Sequence, residues 1–275
     1  MKNIIALTDF SQNASNATHY AAALAQAAKA RLILYHAFPY PVIATDVPIE
    51  IQQFIDETAE THTEALLAIR HELEQQYGIE VACAAQGGSV VYHLEDFMRQ
   101  EHADLAVMGL RGNGRAVNVL MGSTTFEVMR LGKIPVLVVP DGVTFQKPAH
   151  LLFACDNPFI TNDNELKPLK DLVAQFDAEV GVYMVSRPEP APAAHPAPRP
   201  SNLEQHFGQL RHVYTFEQAT GVRESILEGI RNSKADLLVM VPHHRSVWQY
   251  LFNKSDTHSV ALQSRIPILL LAENA

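Results

Sequence analysis

"MGLRGNGRAVNVLMGSTT", residues 108–125, holds four of the chain's 13 glycines. The pattern is Gly109, two residues, Gly112, nine residues, then Gly122-Ser123-Thr124, with Gly114 inside it. It follows the apolar run "DLAVMG" (104–109) and leads, through a stretch of helical composition, to "IPVLVVP" (134–140). In an open parallel sheet, ligands bind outside the carboxyl ends of the strands, so a strand that empties into glycines is well placed to offer backbone. Gly112 and Gly114 permit positive φ and a close approach. Gly122-Ser123-Thr124 opens a helix near 122–132, and free amides beside small hydroxyls suit a phosphate group. The segment is not a Walker loop, because Gly-Lys-Ser/Thr is absent, nor is it Gly-x-Gly-x-x-Gly directly after the first strand. A flexible connection ending in an N-cap serine would have the same composition.

Outward from this segment, strand and helix patterns alternate. "NIIALT" (3–8) is a continuous apolar run, as in a strand covered on both faces. "SQNASNATHYAAALAQAAKA" reads as an alanine-rich helix with polar residues near its start. "RLILYHAF" is a second strand, and a long helix spans roughly 49–77. "IEVACAA" is a third strand, and "SVVYHLEDFMRQEHA" a helix with Val90, Leu94, Phe97 and Met98 on one face. The alternation predicts a parallel α/β sheet.

The pattern then repeats. "HLLFACD" (150–156) matches "NIIALTD" (3–9), and 87–139 align on 219–271 without a gap. That alignment pairs Asp104 with Asp236 and Ile134-Pro135 with Ile266-Pro267. The second copy is shorter by about 15 residues where the first has its long helix, and carries "RPEPAPAAHPAPRP" (187–200) there. Proline-rich chain of this kind is stiff and forms neither helix nor ladder. Two tandem copies of one domain follow, residues 1–142 and 149–275.

Composition limits the function. The chain of 275 residues has a net charge of −9 and no basic block, a poor match for nucleic acid or an anionic membrane. Cys83 and Cys155, each in an apolar run, have no disulfide or zinc spacing and read as reduced, buried thiols. The amino-terminal apolar run is too short for a signal peptide, and none spans a bilayer. A cytoplasmic location is expected.

Asp9 supplies a second feature of the cleft. It ends the first strand on the same sheet edge as Gly109, where a carboxylate can accept from ribose hydroxyls or cap the following helix. With "LTDFS" at the start, "DLAVMG" before the glycine pattern and "IPVLVVP" at the end, the chain resembles the universal stress protein family, as two tandem members. The resemblance implies, in each half, a five-stranded parallel sheet of order 3-2-1-4-5 between helices, an open Rossmann-like fold of the adenine nucleotide α-hydrolase type. It implies ATP or ADP, with or without magnesium, in the first half. Asp9 matches the position that meets the ribose, Ala37 the backbone that meets adenine, and Gly109, Gly112, Gly122, Ser123 and Thr124 the ribose and phosphate loop. Leu7 and Ala37 depart from the proline and valine common there, but neither removes a polar contact. The family pairs two domains through their last strands. The two copies here are expected to pair within the chain, leaving room for a homodimer of tandem chains.

The second copy keeps Asp156 opposite Asp9 and Ser255 opposite Ser123, but has Val241, His244 and Lys254 opposite Gly109, Gly112 and Gly122. A Cβ at these places strains or blocks a turn that hugs phosphate. His243-His244-Arg245, with His258 beyond, is either a metal or anion site or a set of structural loop residues. His36 reads as structural, and Cys155 as inert for want of an adjacent base. With no catalytic base, acidic metal cluster or arginine finger legible, any ATP hydrolysis would be slow. The function expected is a nucleotide-binding stress-response protein. The alternative is an interaction module of the same family that needs no nucleotide.

Overall fold

In the computed structural model the described residues are 1–39, 48–110, 123–155, 160, 162–186, 202–218, 221–241 and 265–272. Gly112, Gly114, Gly122, Asp156, the 187–200 segment, His243, His244, Arg245, Lys254, Ser255 and His258 lie outside them.

Apolar runs with no polar face must be covered on both sides, and most of the strands obey this. The first half contributes β1 (Asn3–Leu7), β2 (Arg31–Phe38), β3 (Val81–Gly87), β4 (Leu105–Leu110) and β5 (Val136–Pro140). The second contributes β6 (His150–Cys155), β7 (Glu179–Ser186), β8 (His212–Gln218), β9 (Leu237–Met240) and β10 (Ile268–Leu270). They form one ten-stranded sheet, β3-β2-β1-β4-β5-β10-β9-β6-β7-β8. Renumbered within each half, the order is 3-2-1-4-5 twice, read inward from each edge.

The pairings are parallel except at the centre, where β5 and β10 run antiparallel. Leu137 faces Leu269 there, flanked by Val136 against Leu270 and Val138 against Ile268. Leu137 and Leu269 occupy one position of the repeat, so a local twofold passes between them. Each strand covers an edge that would otherwise be bare and apolar.

Helices cover both faces. α1 (Gln12–Ala28), α2 (Pro48–Tyr77), α5 (Lys167–Phe176) and α6 (Leu203–Phe207) pack on one side, and α3 (Val90–Gln100), α4 (Ser123–Leu131) and α7 (Val222–Ser233) on the other. The alanines of α1 bury a narrow face, with Ala17, Ala21, Ala22 and Ala25 at 0–1% exposure, which lets its backbone approach the sheet. The helix ends at Lys29, in the left-handed conformation, whose amide returns to the carbonyls of Ala25 and Gln26. In α3, Leu94 and Met98 are buried, while Val90 and Phe97 are partly buried against the same core. The five residues of α6 stand where the first half has the thirty of α2, and edge strand β8 leaves Phe216 72% exposed. No helix among the described residues is long and apolar enough to cross a membrane. Both cysteines are half-buried rather than buried, a correction to the expectation from their apolar runs.

The repeated aspartate has a structural task. The Asp104 carboxylate accepts from the backbone amides of Lys2 and Asn3, where β1 begins. Asp236 accepts from Ala149 (2.8 Å) and His150 (3.2 Å), where β6 begins. Each ties the first strand of its half to the fourth. Asp104 also receives the Lys167 ammonium at 2.8 Å, across the two halves, and Lys167 reaches Asp171 at 3.0 Å. Burial works to raise the Asp104 carboxyl, but Lys167 and the two amides outweigh it and hold it below the usual carboxylate range.

A depressed folded-state pKa means the stabilisation is present above the unfolded value, about 3.9, and is lost as pH falls through the folded value. Asp104→Asn is therefore expected to cost about 2 kcal/mol near neutrality. The difference from the parent should shrink below about pH 4, in urea denaturation run at pH 7 and at pH 3. An unchanged gap at pH 3 would contradict this role.

Candidate functional site

The strand order places β1 between β2 and β4, so the chain leaves β1 to one side and later returns to the other. That reversal opens a crevice at the carboxyl ends of β1 and β4, the usual ligand position in an open sheet. A cavity of about 260 Å³ lies there.

The turn that leaves β1 forms one wall. The Thr8 amide donates to the Tyr35 carbonyl at 3.0 Å, carrying the β1–β2 pairing one residue beyond Leu7. Three side-chain oxygens then close the turn in sequence. Thr8 Oγ1 accepts from the Phe10 amide at 3.0 Å, Asp9 Oδ1 from the Ser11 amide at 3.0 Å, and Ser11 Oγ from the Ala14 amide at 3.3 Å. Such short-range bonds are what Ser, Thr and Asp supply at helix starts and turns. Ser11 is thus the N-cap of α1. Asp9 closes the turn before it, which corrects the option that Asp9 itself caps the helix.

The opposite wall comes from β4 and α4. A Cβ built at Gly109 would stand 2.5 Å from the Asn13 carbonyl oxygen and 2.9 Å from its carbon. The first turn of α1 therefore lies directly on β4, and only glycine fits beneath it. The Gly109 carbonyl accepts from Thr125 Oγ1 at 3.1 Å, which pins the start of α4 to the same strand. Ser123 opens α4, with Thr124 and Thr125 in its first turn. On the β2 side, Tyr35 and Ala37 line the cavity. The Tyr35 hydroxyl donates to Gln86 Oε1 at 2.9 Å, and burial pushes the phenol up to about 12. Tyr35 is a neutral wall at any ordinary pH.

Of the residues expected from sequence, Asp9, Ala37, Gly109 and Thr124 line this one cavity. Ser123 sits at the head of the helix beside it, and Gly112 and Gly122 lie outside the described residues. Thr8, Asn13 and Thr125 also line it and were not singled out. The signal available for two of them was Ser/Thr chemistry at a strand end and in a helix's first turn. Nothing in the spacing marked Asn13, which enters only because α1 lies close on β4.

Among the described residues the lining holds one carboxylate, that of Asp9, and no lysine or arginine. It offers hydroxyls, a side-chain amide and backbone, suited to a polar neutral group, with the amino end of α4 toward any anion. The described residues contain no group of three or more His, Cys, Asp or Glu able to hold a metal ion. Val241, opposite Gly109 in the repeat, is buried in the core of the second half.

Residues 1–140 match the sequence profile of the Universal stress protein family. The chain is 33% identical over 141 residues to a universal stress protein of Thermus aquaticus encoded in the 3′ region of a QAH/OAS sulfhydrylase, covering 50% of this chain and 98% of that one. Along its length it is similar to the crystal structure of a universal stress protein from Archaeoglobus fulgidus, with a TM-score of 0.70, 19% identity and 98% of each chain covered. A putative universal stress protein from Pseudomonas aeruginosa gives a TM-score of 0.55 at 15% identity, over 99% of this chain and 93% of that one. These two likenesses show the shared fold.

Gly109→Ala should force α1 off β4, because the clash is with backbone that has no rotamer to change. A cost of about 2 kcal/mol or more is expected, read as a lower thermal midpoint. A variant as stable as the parent would show that α1 can move freely.

Proposed function

Given that the chain belongs to the universal stress protein family, we propose that it binds one adenine nucleotide, ATP or ADP, in the crevice between β1 and β4 and acts as a stress-response or regulatory protein of the cytoplasm. The observation that carries this reading is the convergence of Asp9, Ala37, Gly109 and Thr124 on one cavity at the switch point. Its volume of about 260 Å³ is near the lower end of the range of about 300–1,000 Å³ usual for small-molecule clefts. It suits a nucleoside, with the phosphates directed toward α4.

In this reading each group has a task. Asp9 accepts from the ribose hydroxyls, its other role in the turn keeping the carboxylate in place. The strand end at Ala37 meets the base through backbone. Gly109 brings the strand end close enough to touch the ligand, and the first amides of α4, with Ser123 and Thr124, face the phosphates. Gly112 and Gly122 supply the phosphate loop. Magnesium, where present, would ride on the phosphates. The one carboxylate of the described lining, Asp9, is committed to the turn and the ribose in this reading, so any turnover is slow. The protein is then two tandem domains, 1–142 and 149–275, with the nucleotide in the first. Their last strands pair within one chain, which leaves dimerisation of the whole chain as a separate matter.

Calorimetric titration with Mg-ATP is expected to give one site per chain. Asp9→Asn should weaken binding about tenfold, the loss of a charge-assisted hydrogen bond. Gly122→Lys, which copies the second half, should abolish it. Equal binding by all three proteins would remove the proposed site. A protein with no affinity for adenine nucleotides would leave the interaction-module reading in its place.

A further inference from the structure

Strand alternation sends Tyr35 and Ala37 into the cavity and His36 to the opposite face of the sheet, beneath α2. His36 is 7% exposed. Its Nδ1 lies 2.8 Å from the Thr8 carbonyl oxygen. A carbonyl only accepts, so Nδ1 carries the hydrogen and Nε2 the lone pair. Nε2 is buried, with no hydrogen-bond partner among the described residues. Adding a proton there would create a buried donor with no acceptor, so the neutral Nδ1–H tautomer is the form this environment holds.

The same imidazole supports Phe10. That residue has φ of 61°, the left-handed region, which a bulky aromatic enters only under constraint. Its ring packs on His36 at 4.4 Å between centroids and stacks on His62 at 5.8 Å. His62, from α2, packs on His36 at 4.4 Å and on Phe38 at 5.1 Å. The four rings form a cluster behind the turn. Asp9 sits between the two residues this cluster holds, Thr8 by its carbonyl and Phe10 by its ring.

We propose that His36 is a positioning residue for the cleft: acting from the far face of the sheet, its imidazole holds the Thr8 carbonyl and seats the Phe10 ring, and so sets the turn that presents Asp9 to the ligand. This rests on the nucleotide-binding reading of the cleft. Burial, the largest influence, holds the His36 imidazole below its ordinary value, against the pull of the Thr8 bond. The titratable groups acting on it are His62 from α2, which lowers it further, and Asp9 from the turn, which raises it. The neutral form is thus the working form. Acid that charges the imidazole loosens the turn, and affinity falls as pH drops through the folded-state value, which lies below about 6.5.

Two variants separate the parts. His36→Phe keeps a ring and removes the donor, whereas His36→Asn keeps a donor close to the place of Nδ1 and cannot be charged. Mg-ATP is titrated into each full-length protein at pH 8 and at successively lower pH for as long as the protein stays folded, and amide hydrogen exchange of Phe10, Ser11 and Ala14 is followed without nucleotide. His36→Phe should bind about tenfold more weakly at pH 8 and exchange these amides faster by a similar factor. His36→Asn should recover most of the affinity at pH 8 and lack the parent's loss as the pH falls. Parental affinity and parental exchange in His36→Phe would overturn the proposal, as would a pH profile shared by the parent and His36→Asn. Should His36→Phe not fold, the second comparison decides alone. A parent that binds no adenine nucleotide at pH 8 defeats the cleft reading itself. Exchange then still decides whether His36 holds the turn.

Discussion

Helix α1 lies so close on β4 that position 109 has no room for a side chain. Much of the cleft follows from that contact. It requires a helix with a shallow inner face, which the alanines of α1 supply. It places the first turn of α1, with Asn13 and Ala14, in the cavity wall. It also shortens the path from the end of β1 to the helix, so residues 8–11 must turn sharply. The turn is closed by three side-chain oxygens in succession and takes Phe10 into the left-handed region. The Asp9 carboxylate is held at the cavity because the backbone around it has little freedom left.

Local pattern was legible wherever it reflected local physics. The apolar runs became strands close to their expected bounds, "RLILYHAF" without a shift, because a strand covered on both faces shows this in every residue. The repeat made Asp104 and Asp236 visible as a pair, but their bonds to the starts of β1 and β6 required knowing that the fourth strand lies beside the first. Asp9 and Gly109 were read from the strand ends they occupy. Sequence marks Gly109 as a strand end at the ligand edge, and the structure adds a packing cause in the carbonyl of Asn13. That cause lies 96 residues away in sequence, and no spacing encodes it. Thr8, Asn13 and Thr125 were missed for the same reason: their tasks depend on which helix and strand meet, not on their neighbours in the chain.

The two halves share a fold but differ in what stands at the corresponding cleft. Val241 takes the position of Gly109 and is buried. A helix seated as α1 is on β4 would strike that side chain, so the second half cannot reproduce the contact that shapes the first cleft. Conversely, the pairs that join the halves are nearly symmetric, Leu137 on Leu269 with a valine facing Leu270 on one side and Ile268 on the other. The apolar seam is alike in the two halves while the polar edge differs in sequence, as expected when packing constrains every residue of a buried strand but only a ligand constrains a loop.

The direction of the seam has a further consequence. Because β5 and β10 are antiparallel while the strands within each half are parallel, the carboxyl edges of the two half-sheets face opposite ways. The crevice between β1 and β4 therefore opens on the edge of the sheet opposite to the carboxyl ends of β6 and β9. Among the described residues the halves also meet away from the seam, through Lys167, which binds Asp104 of one half and Asp171 of the other, and through the Met1 ammonium, 3.2 Å from Asp171. Asp104 in turn holds the start of β1, the strand whose far end carries Thr8 and Asp9. The strand that leads into the cleft's turn is thus anchored at its beginning by a carboxylate shared with the other half and at its end by the imidazole of His36.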